Sequence, residues 1–271
     1  MILYHFIKHK RINGTLFYAF EYFVFLNKYK DTDLWLFDIS DKNLEYVKNI
    51  FKDRYNFDHK LLDKIKSVHL KDFIKYPNKI IILDNRTYEN LRKFFPKAKV
   101  LWHKTDIKQY NYLDEKINPN DITFGSYHFQ KYEVKQHLQF NWDIYPEIKT
   151  STNKIFISKL SMSNESALDI LDSKNIFIDK SKIFIKNDST HYNNLFEEFN
   201  TFIYIKNPHI TDTNHRLLVE SYYYNKNIIL VDDYKNDSVY IRFQELQKYG
   251  IDYFRLSTKN KMIEEYLDDS K

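Results

Sequence analysis

Residues 200–233 read NTFIYIKNPHITDTNHRLLVESYYYNKNIILVDD, and the order of apolar and polar segments in this stretch indicates the fold class. It opens with an apolar run of β-branched and aromatic residues, Thr201–Ile205, which predicts a buried strand. A polar loop, a helix over 213–225 and a second apolar run, Asn227–Val231, follow in that order. Strands that alternate with helices in this way form βαβ units, and such units build parallel sheets.

The same alternation extends over the rest of the chain. In the second half it predicts strands over 154–157, 176–178 and 183–185 and helices over 165–171, 192–199 and 262–267. In the first half it predicts strands over 2–7, 34–37, 79–83, 99–102 and 122–124 and helices over 16–29, 42–52 and 88–95.

The two halves are joined by a stretch that looks like a linker. Residues 141–153, NWDIYPEIKTSTN, are mostly polar, contain Pro146 and lack any period. We therefore expect an α/β protein of two Rossmann-like doubly wound domains, 1–145 and 146–271, which face each other across a cleft. Ligands would bind in that cleft, at the carboxyl ends of both sheets.

Composition limits what the protein can be. Its 271 residues suit two domains of roughly 130 residues each. Hydrophobic residues at 43% and charged residues at 29% indicate folded domains. With three glycines the chain has no glycine-rich phosphate loop, and the absence of cysteine excludes disulfides and thiolate chemistry. The net charge of +5 is modest but would favour approach to a polyanion.

No segment of the sequence suggests a membrane protein. The longest apolar run, 16–26, is interrupted by Glu21 and is shorter than the ~20 residues of a membrane span. Residues 1–7 alternate like a strand and do not resemble a signal peptide. We expect a cytoplasmic protein, in the host cytoplasm if the gene belongs to a phage, with a monomer as the default state.

The loop and helix within 200–233 carry the strongest candidate site. The loop supplies His209 and Asp212, and Asp212 or Thr213 is a suitable N-cap. The first turn of such a helix favours an anion, and Arg216 lies there, where a guanidinium can bind a diphosphate in a bidentate manner. Glu220 follows four residues later on the same face, and its carboxylate could accept hydrogen bonds from ribose hydroxyls.

A structural explanation of the pair stays open at this point. Arginine and glutamate at i,i+4 are ordinarily a solvated helix pair that stabilises by about 0.2–0.5 kcal/mol. The polar loop before Arg216 and the buried strand after Glu220 favour the functional interpretation.

This arrangement resembles the carboxyl-terminal domain of GT-B glycosyltransferases. There a polar loop and an acidic residue precede a helix with an Arg-x-x-x-Glu pattern, an aromatic-rich turn and a buried strand. The corresponding positions here are Asp212, Arg216, Glu220, 222–224, Lys226 and 228–231. The sequence departs at Asn225, where many members have glycine, although asparagine also tolerates left-handed backbone geometry.

The resemblance implies a nucleotide-sugar as co-substrate, with a UDP-sugar expected first, and no tightly bound cofactor. Glu220 would hold the donor ribose, and Arg216 the phosphates. Further donor contacts would come from Gly14 and Thr15, after the first strand, and from Lys159, after the strand over 154–157. The alternative for Gly14 and Thr15 is that they belong to a plain basic surface loop, and the alternative for Lys159 is an ordinary surface lysine.

An inverting sugar transfer needs a base that deprotonates the acceptor hydroxyl. Asp84 is the first choice, because it ends the most hydrophobic strand, and Asp38 is the second. Either residue can instead be a helix cap, and a retaining enzyme requires no such base. The histidines lack metal-ligand spacing, and the Asp-Thr-Asp at 31–33 precedes a strand, so we expect no metal.

The acceptor is the least determined part of the prediction. The chain uses much Lys, Asn, Ile, Tyr and Phe, which indicates an AT-rich genome. In this composition, in its basic charge and in its small size it resembles phage-type DNA glycosyltransferases, which modify hydroxymethylated bases. Double-stranded DNA would then be a partner, and the target base would be flipped out of the duplex. The alternatives are a bacterial surface glycan or glycolipid as acceptor, or a non-catalytic nucleic-acid-binding α/β protein.

Overall fold

The computed structural model describes residues 2–5, 14–37, 39–69, 79–82, 99–104, 122–125, 139–148, 152–158, 162–184, 195–206, 216–231 and 238–268. The chain divides into two compact units. Unit 1 consists of Met1–Tyr145 together with Phe254–Lys271, and unit 2 consists of Pro146–Tyr253. The helices of the described ranges are α1 Gly14–Leu26, α2 Asp41–Arg54, α3 Asn164–Ser173, α4 Arg216–Tyr223, α5 Ser238–Tyr249 and α6 Lys261–Leu267.

Unit 1 contains a parallel sheet. Its strands are β1 Ile2–His5, β2 Leu34–Phe37, β3 Ile65–Val68, β4 Lys79–Ile82, β5 Lys99–Lys104 and β6 Ile122–Gly125. They lie in the order β3-β2-β1-β4-β5-β6, and every neighbouring pair is parallel. This is the strand order of the doubly wound dinucleotide-binding fold, in which the order reverses between β1 and β4. The predicted α/β class with a parallel sheet is thus confirmed.

The two helices that follow β1 and β2 in unit 1 form for different reasons. Apart from Glu21, α1 is apolar on all sides, and each residue from position 16 to position 26 is buried, as expected for a helix inside a core. α2 is amphipathic and buries Val47 and Phe51. Its N-cap is Ser40, whose hydroxyl accepts from the Asn43 N–H, while Asp41 is already the first helical residue.

Unit 2 contains a second parallel sheet with strands β7 Ile155–Ser158, β8 Ile183–Phe184, β9 Thr201–Ile205 and β10 Asn227–Val231. The order is β10-β9-β7-β8. Its core joins Ala167 and Leu171 of α3 to Ile203 and Ile205 of β9 and to Val231 of β10. The apolar runs that predicted β9 and β10 therefore supply the contact between sheet and helix.

At two helix ends of unit 2, asparagine occupies the left-handed position at which glycine is the usual residue. Asn175 after α3 and Asn225 after α4 have φ values of 56° and 53°. At the end of α4 the Lys226 N–H donates to the Ser221 carbonyl at 2.9 Å and the Asn225 N–H to the Tyr222 carbonyl at 3.0 Å, which is the Schellman pattern. The left-handed turn expected at Asn225 is confirmed.

The chain passes from one unit to the other at positions that differ from the predicted linker. Trp142, Ile144 and Tyr145 are buried, and Trp142–Ile144 forms a 3₁₀ turn, so residues 141–145 belong to unit 1 and are not a linker. Their aromatic and apolar side chains account for this, since burial of each stabilises by about 1.5–3 kcal/mol. Residues 254–271, which were assigned to the second domain, group with unit 1 as well.

Some elements were misplaced by the pattern. β3 and α5 were not predicted, and the strand expected over 176–178 is absent from the described sheets. Ile176 and Ile178 instead pack on the core of unit 2. The described part of the helix expected over 192–199 contains a 3₁₀ turn, Leu195–Glu197, and the helix expected over 88–95 lies outside the described residues.

Candidate functional site

Helix α4 leaves the edge of the unit 2 sheet at which open α/β proteins bind ligands. The chain runs from β7 outward to β8 and then returns past β7 to β9, so the strand order reverses between β7 and β9. Ligands of open α/β sheets bind at the carboxyl ends of the strands at such a point. β9 ends there at Ile205, and the next described element is α4, which begins at Arg216.

The pair predicted from the sequence is present on α4. The Nε of Arg216 lies 2.9 Å from Oε1 of Glu220, and the two side chains are 7% and 0% exposed. A solvated surface pair is therefore excluded, because neither charge is surrounded by water. Two charges removed from water lose several kcal/mol of hydration each, and their mutual attraction offsets this only with good geometry and further hydrogen bonds.

The whole helix is held firmly around this pair. Leu218, Val219 and Ser221 are buried together with Arg216 and Glu220, and α4 packs on β9, β10 and α5. The Ser221 hydroxyl is buried and makes no hydrogen bond within the part of the chain that the structure describes. A buried arginine on a helix with so little exposed surface has one defined position, which is what recognition of a rigid anion requires.

The carboxyl end of α4 has a structural role. The Tyr224 hydroxyl donates to the Pro146 carbonyl at 3.2 Å, and the Tyr224 ring packs on Phe196 with centroids 4.8 Å apart. The Nζ of Lys226 lies 5.5 Å from the centroid of Phe199. Burial lowers the pKa of the Lys226 ammonium, and nearby Glu197 acts in the opposite direction. The aromatic turn of the resemblance is thus part of the packing of unit 2.

Unit 2 also contains an ion pair, between a buried arginine and a partly buried glutamate, that the sequence did not reveal. Arg242 of α5 is 3% exposed and its Nη1 lies 3.3 Å from Oε2 of Glu245. Burial raises the pKa of the Glu245 carboxyl, and Arg242 lowers it again. The spacing i,i+3 was the available signal, but α5 itself was not predicted, because its apolar residues do not form a clear stripe.

Several predicted site residues lie outside the described residues: Asp38, Asp84, Lys159, His209 and Asp212. In the sequence, Asp38 follows β2, Asp84 follows β4 and Lys159 follows β7, while His209 and Asp212 both follow β9. Gly14 is the first residue of α1 and Thr15 the second. β1 and β4, the strands that precede Gly14 and Asp84, are paired neighbours in the sheet of unit 1.

The structure therefore brings Arg216 and Glu220 into contact and leaves the other assignments as predictions. Within the described ranges, none of the helices combines the length and the apolar character that a membrane span requires. Comparison with protein-family models, with curated proteins and with solved structures gave no match for this chain.

Proposed function

We propose that this chain is a metal-independent glycosyltransferase of the GT-B type and that unit 2 binds the nucleotide-sugar donor beside α4. One observation carries the proposal: a buried arginine–glutamate pair begins the helix that leaves the carboxyl edge of a parallel sheet. Buried ion pairs add little to stability compared with apolar residues of similar volume, so this pair favours a role in recognition.

The diphosphate of a nucleotide-sugar suits the beginning of α4 for two physical reasons. The first turn of a helix has unsatisfied N–H groups and the positive end of the helix dipole. The guanidinium of Arg216 adds a full positive charge in that same turn, where desolvation strengthens its attraction to phosphate oxygens. The two contributions act on the same anion.

Arg216 and Glu220 have different roles in this proposal. Arg216 retains a small exposed fraction, whereas the Glu220 carboxylate has none. We assign the diphosphate contact to Arg216, and to Glu220 the positioning of the guanidinium through Nε. A direct contact of Glu220 with the donor ribose, as the resemblance implies, would require the carboxylate to become uncovered when the donor binds.

Unit 1 would supply the acceptor side. Its strand order reverses between β1 and β4, so the residues that follow these strands are the ones that a doubly wound domain uses. Asp84 after β4 remains the first candidate base and Asp38 after β2 the second. A hydroxymethylated base in DNA is the acceptor that we would test first, since the net charge of +5 favours a polyanion.

Thermal unfolding of the full chain with nucleoside diphosphates and nucleotide-sugars tests donor binding. A ligand at 100 times its Kd adds about 2.7 kcal/mol, a shift of several degrees. We expect one nucleotide to raise the Tm and Arg216→Lys to abolish that shift, since lysine cannot form the bidentate contact. The matched control is Arg54→Lys, a buried arginine of unit 1 whose guanidinium lies 4.2 Å from the Phe17 ring centroid.

Two results would contradict donor binding at α4. The first is a wild-type protein whose Tm does not change with any nucleotide at millimolar concentration. The second is a shift that Arg216→Lys leaves intact.

The acceptor is tested separately, with labelled donor offered to duplexes that contain or lack hydroxymethylated bases and to a bacterial surface glycan or glycolipid. Label in the modified duplex alone supports the DNA acceptor, and label in a glycan or glycolipid alone supports the other acceptor class.

A further inference from the structure

Helix α1 contains one charged residue in its buried stretch, Glu21, and the side chain is 0% exposed. Among the described residues, three groups donate hydrogen bonds to its carboxylate. The hydroxyls of Tyr55 and Tyr145 donate to Oε1 at 2.7 and 2.8 Å, and the Asn141 N–H donates to Oε2 at 3.1 Å. A buried polar group loses its hydration, and hydrogen bonds of this kind offset that loss.

The neighbouring tyrosines of α1 contact the same part of unit 1. Tyr18 packs edge-on against Phe140, with ring centroids 5.3 Å apart. The Tyr22 hydroxyl accepts from Nδ2 of Asn260 at 3.3 Å, and that amide also donates to the Gln139 side-chain oxygen at 2.6 Å. The α1 residues have the spacing i, i+3 and i+4, so they lie on one face of the helix.

These contacts meet the chain where it leaves unit 1 and where it returns. The exit segment is 139–145, before unit 2 begins at Pro146, and the return segment is 254–260, after unit 2 ends. The Phe140 N–H donates to the Phe254 carbonyl at 2.7 Å, and the Leu256 N–H donates to the Phe140 carbonyl at 2.8 Å. The two segments therefore form a short parallel bridge inside unit 1.

A second link on the exit and return segments lies at the surface. Asp143 accepts from Lys28 at 2.8 Å and from Arg255 at 2.7 Å, so one carboxylate joins the end of α1, the exit segment and the return segment. All three side chains are partly exposed, and such pairs are worth about 0–1 kcal/mol. The buried contacts of Tyr18, Glu21 and Tyr22 must therefore contribute most of the free energy that keeps the exit and return segments in place.

We propose that Tyr18, Glu21 and Tyr22 form a crossing clamp. The crossing clamp makes the exit and return segments one cooperative folding unit with α1, so that both segments stay closed while unit 2 unfolds. Glu21 is its central member, because its carboxylate fixes Asn141 through the main chain and Tyr145 through the side chain. Asn260 extends the hold to the return segment, because it binds Gln139 and Tyr22 and also caps α6 through Met262 and Ile263.

Hydrogen exchange of the full-length protein, read by mass spectrometry in rising denaturant, tests the crossing clamp. In the wild type we expect peptides from 139–145 and 254–260 to exchange with those of α1, and separately from those of β9 and β10. Glu21→Ala should speed exchange in both segments by more than about tenfold, since each 1.4 kcal/mol lost is a factor of ten. Exchange in β9 and β10 should not change.

Two milder variants keep the test decisive if Glu21→Ala does not fold. Glu21→Gln retains the shape and can direct its oxygen to the Asn141 N–H and its amide to the two phenols, so we expect a smaller increase. Tyr145→Phe removes one donor and should speed exchange in both segments. The proposal is overturned if the segments exchange with unit 2 in the wild type, or if Tyr145→Phe and Glu21→Gln leave both segments unchanged.

Discussion

Replacing Glu220 by leucine leaves a guanidinium at a site where the Arg216 side chain is only 7% exposed. Loss of one partner of a buried pair removes the attraction that offsets the burial of the other charge, which destabilises by about 3–5 kcal/mol. We therefore expect Glu220→Leu and Arg216→Met each to lower the free energy of unfolding by about that amount. A typical domain has about 5–15 kcal/mol in total, so either variant should be strongly destabilised.

The double variant Arg216→Met with Glu220→Leu should behave differently. Apolar residues of similar volume in place of a buried pair are neutral or stabilising by about 1–4 kcal/mol. The double variant should therefore be more stable than either single variant. The coupling energy should be about 6 kcal/mol or more, because each single variant loses at least about 3 kcal/mol and the double variant loses none. Because the units need not unfold together, the measurement is denaturant-dependent hydrogen exchange of β9 and β10 in all four proteins.

The double variant also separates stability from binding. If the pair exists for donor recognition, a protein with normal stability in unit 2 should no longer respond to the nucleotide that stabilises the wild type. Single-variant costs below about 1 kcal/mol, the range of exposed pairs, would refute the energetic argument. A stable double variant that keeps the full nucleotide response would refute the functional one.

Three further predictions concern a turn and two titrating groups. Asn225→Gly should leave the Tm nearly unchanged, and Asn225→Ala should lower it, because alanine in the left-handed region costs about 1–2 kcal/mol. The hydrogen bond from Lys28 holds the pKa of Asp143 below its usual range. The contribution of this carboxylate to the free energy of unfolding is therefore present at neutral pH and is lost as the pH falls, so Asp143→Asn should flatten the acid limb of a stability–pH curve. Burial raises the pKa of the Tyr22 hydroxyl above 10.0. The contribution of this hydroxyl to the free energy of unfolding is therefore complete below pH 10.0 and is lost as the pH rises above that value. Tyr22→Phe should flatten the alkaline limb of the same curve, and an unchanged limb would contradict this.

The sequence predicts best where a short apolar run is bounded by polar residues. β2, β9 and β10 were predicted with their correct ends, because period and composition agree over those residues. The turn at Asn225 was also predictable, since few residues adopt a positive φ and asparagine is one of them. Local chemistry is sufficient for such features.

Long-range pairing explains what the sequence did not reveal. β3, with the sequence Ile-Lys-Ser-Val, is a weak pattern that becomes a strand because β2 lies beside it. Residues 141–145 looked like a linker because the segment 141–153 is mostly polar, although four of these five residues are buried. Nothing in the local sequence shows that Asn141 and Tyr145 contact Glu21. A single carboxylate within the apolar run 16–26 was the available signal, since a buried charge needs partners from elsewhere.

The candidate site was half predictable. The spacing placed Arg216 and Glu220 on one helix face, and the strand before them placed that helix at the carboxyl edge of the sheet. Burial could not be read from the spacing, because it depends on how α4 packs against α5, β9 and β10. That burial distinguishes this pair from the many solvated pairs with the same spacing.

Hydrogen exchange of the wild-type chain, with and without a saturating nucleotide-sugar, tests whether the donor binds beside α4. We expect slower exchange in peptides that contain α4 and little change in α2 of unit 1. Unchanged exchange over 216–223, in the presence of a nucleotide-sugar that raises the Tm, would contradict a donor site on this helix.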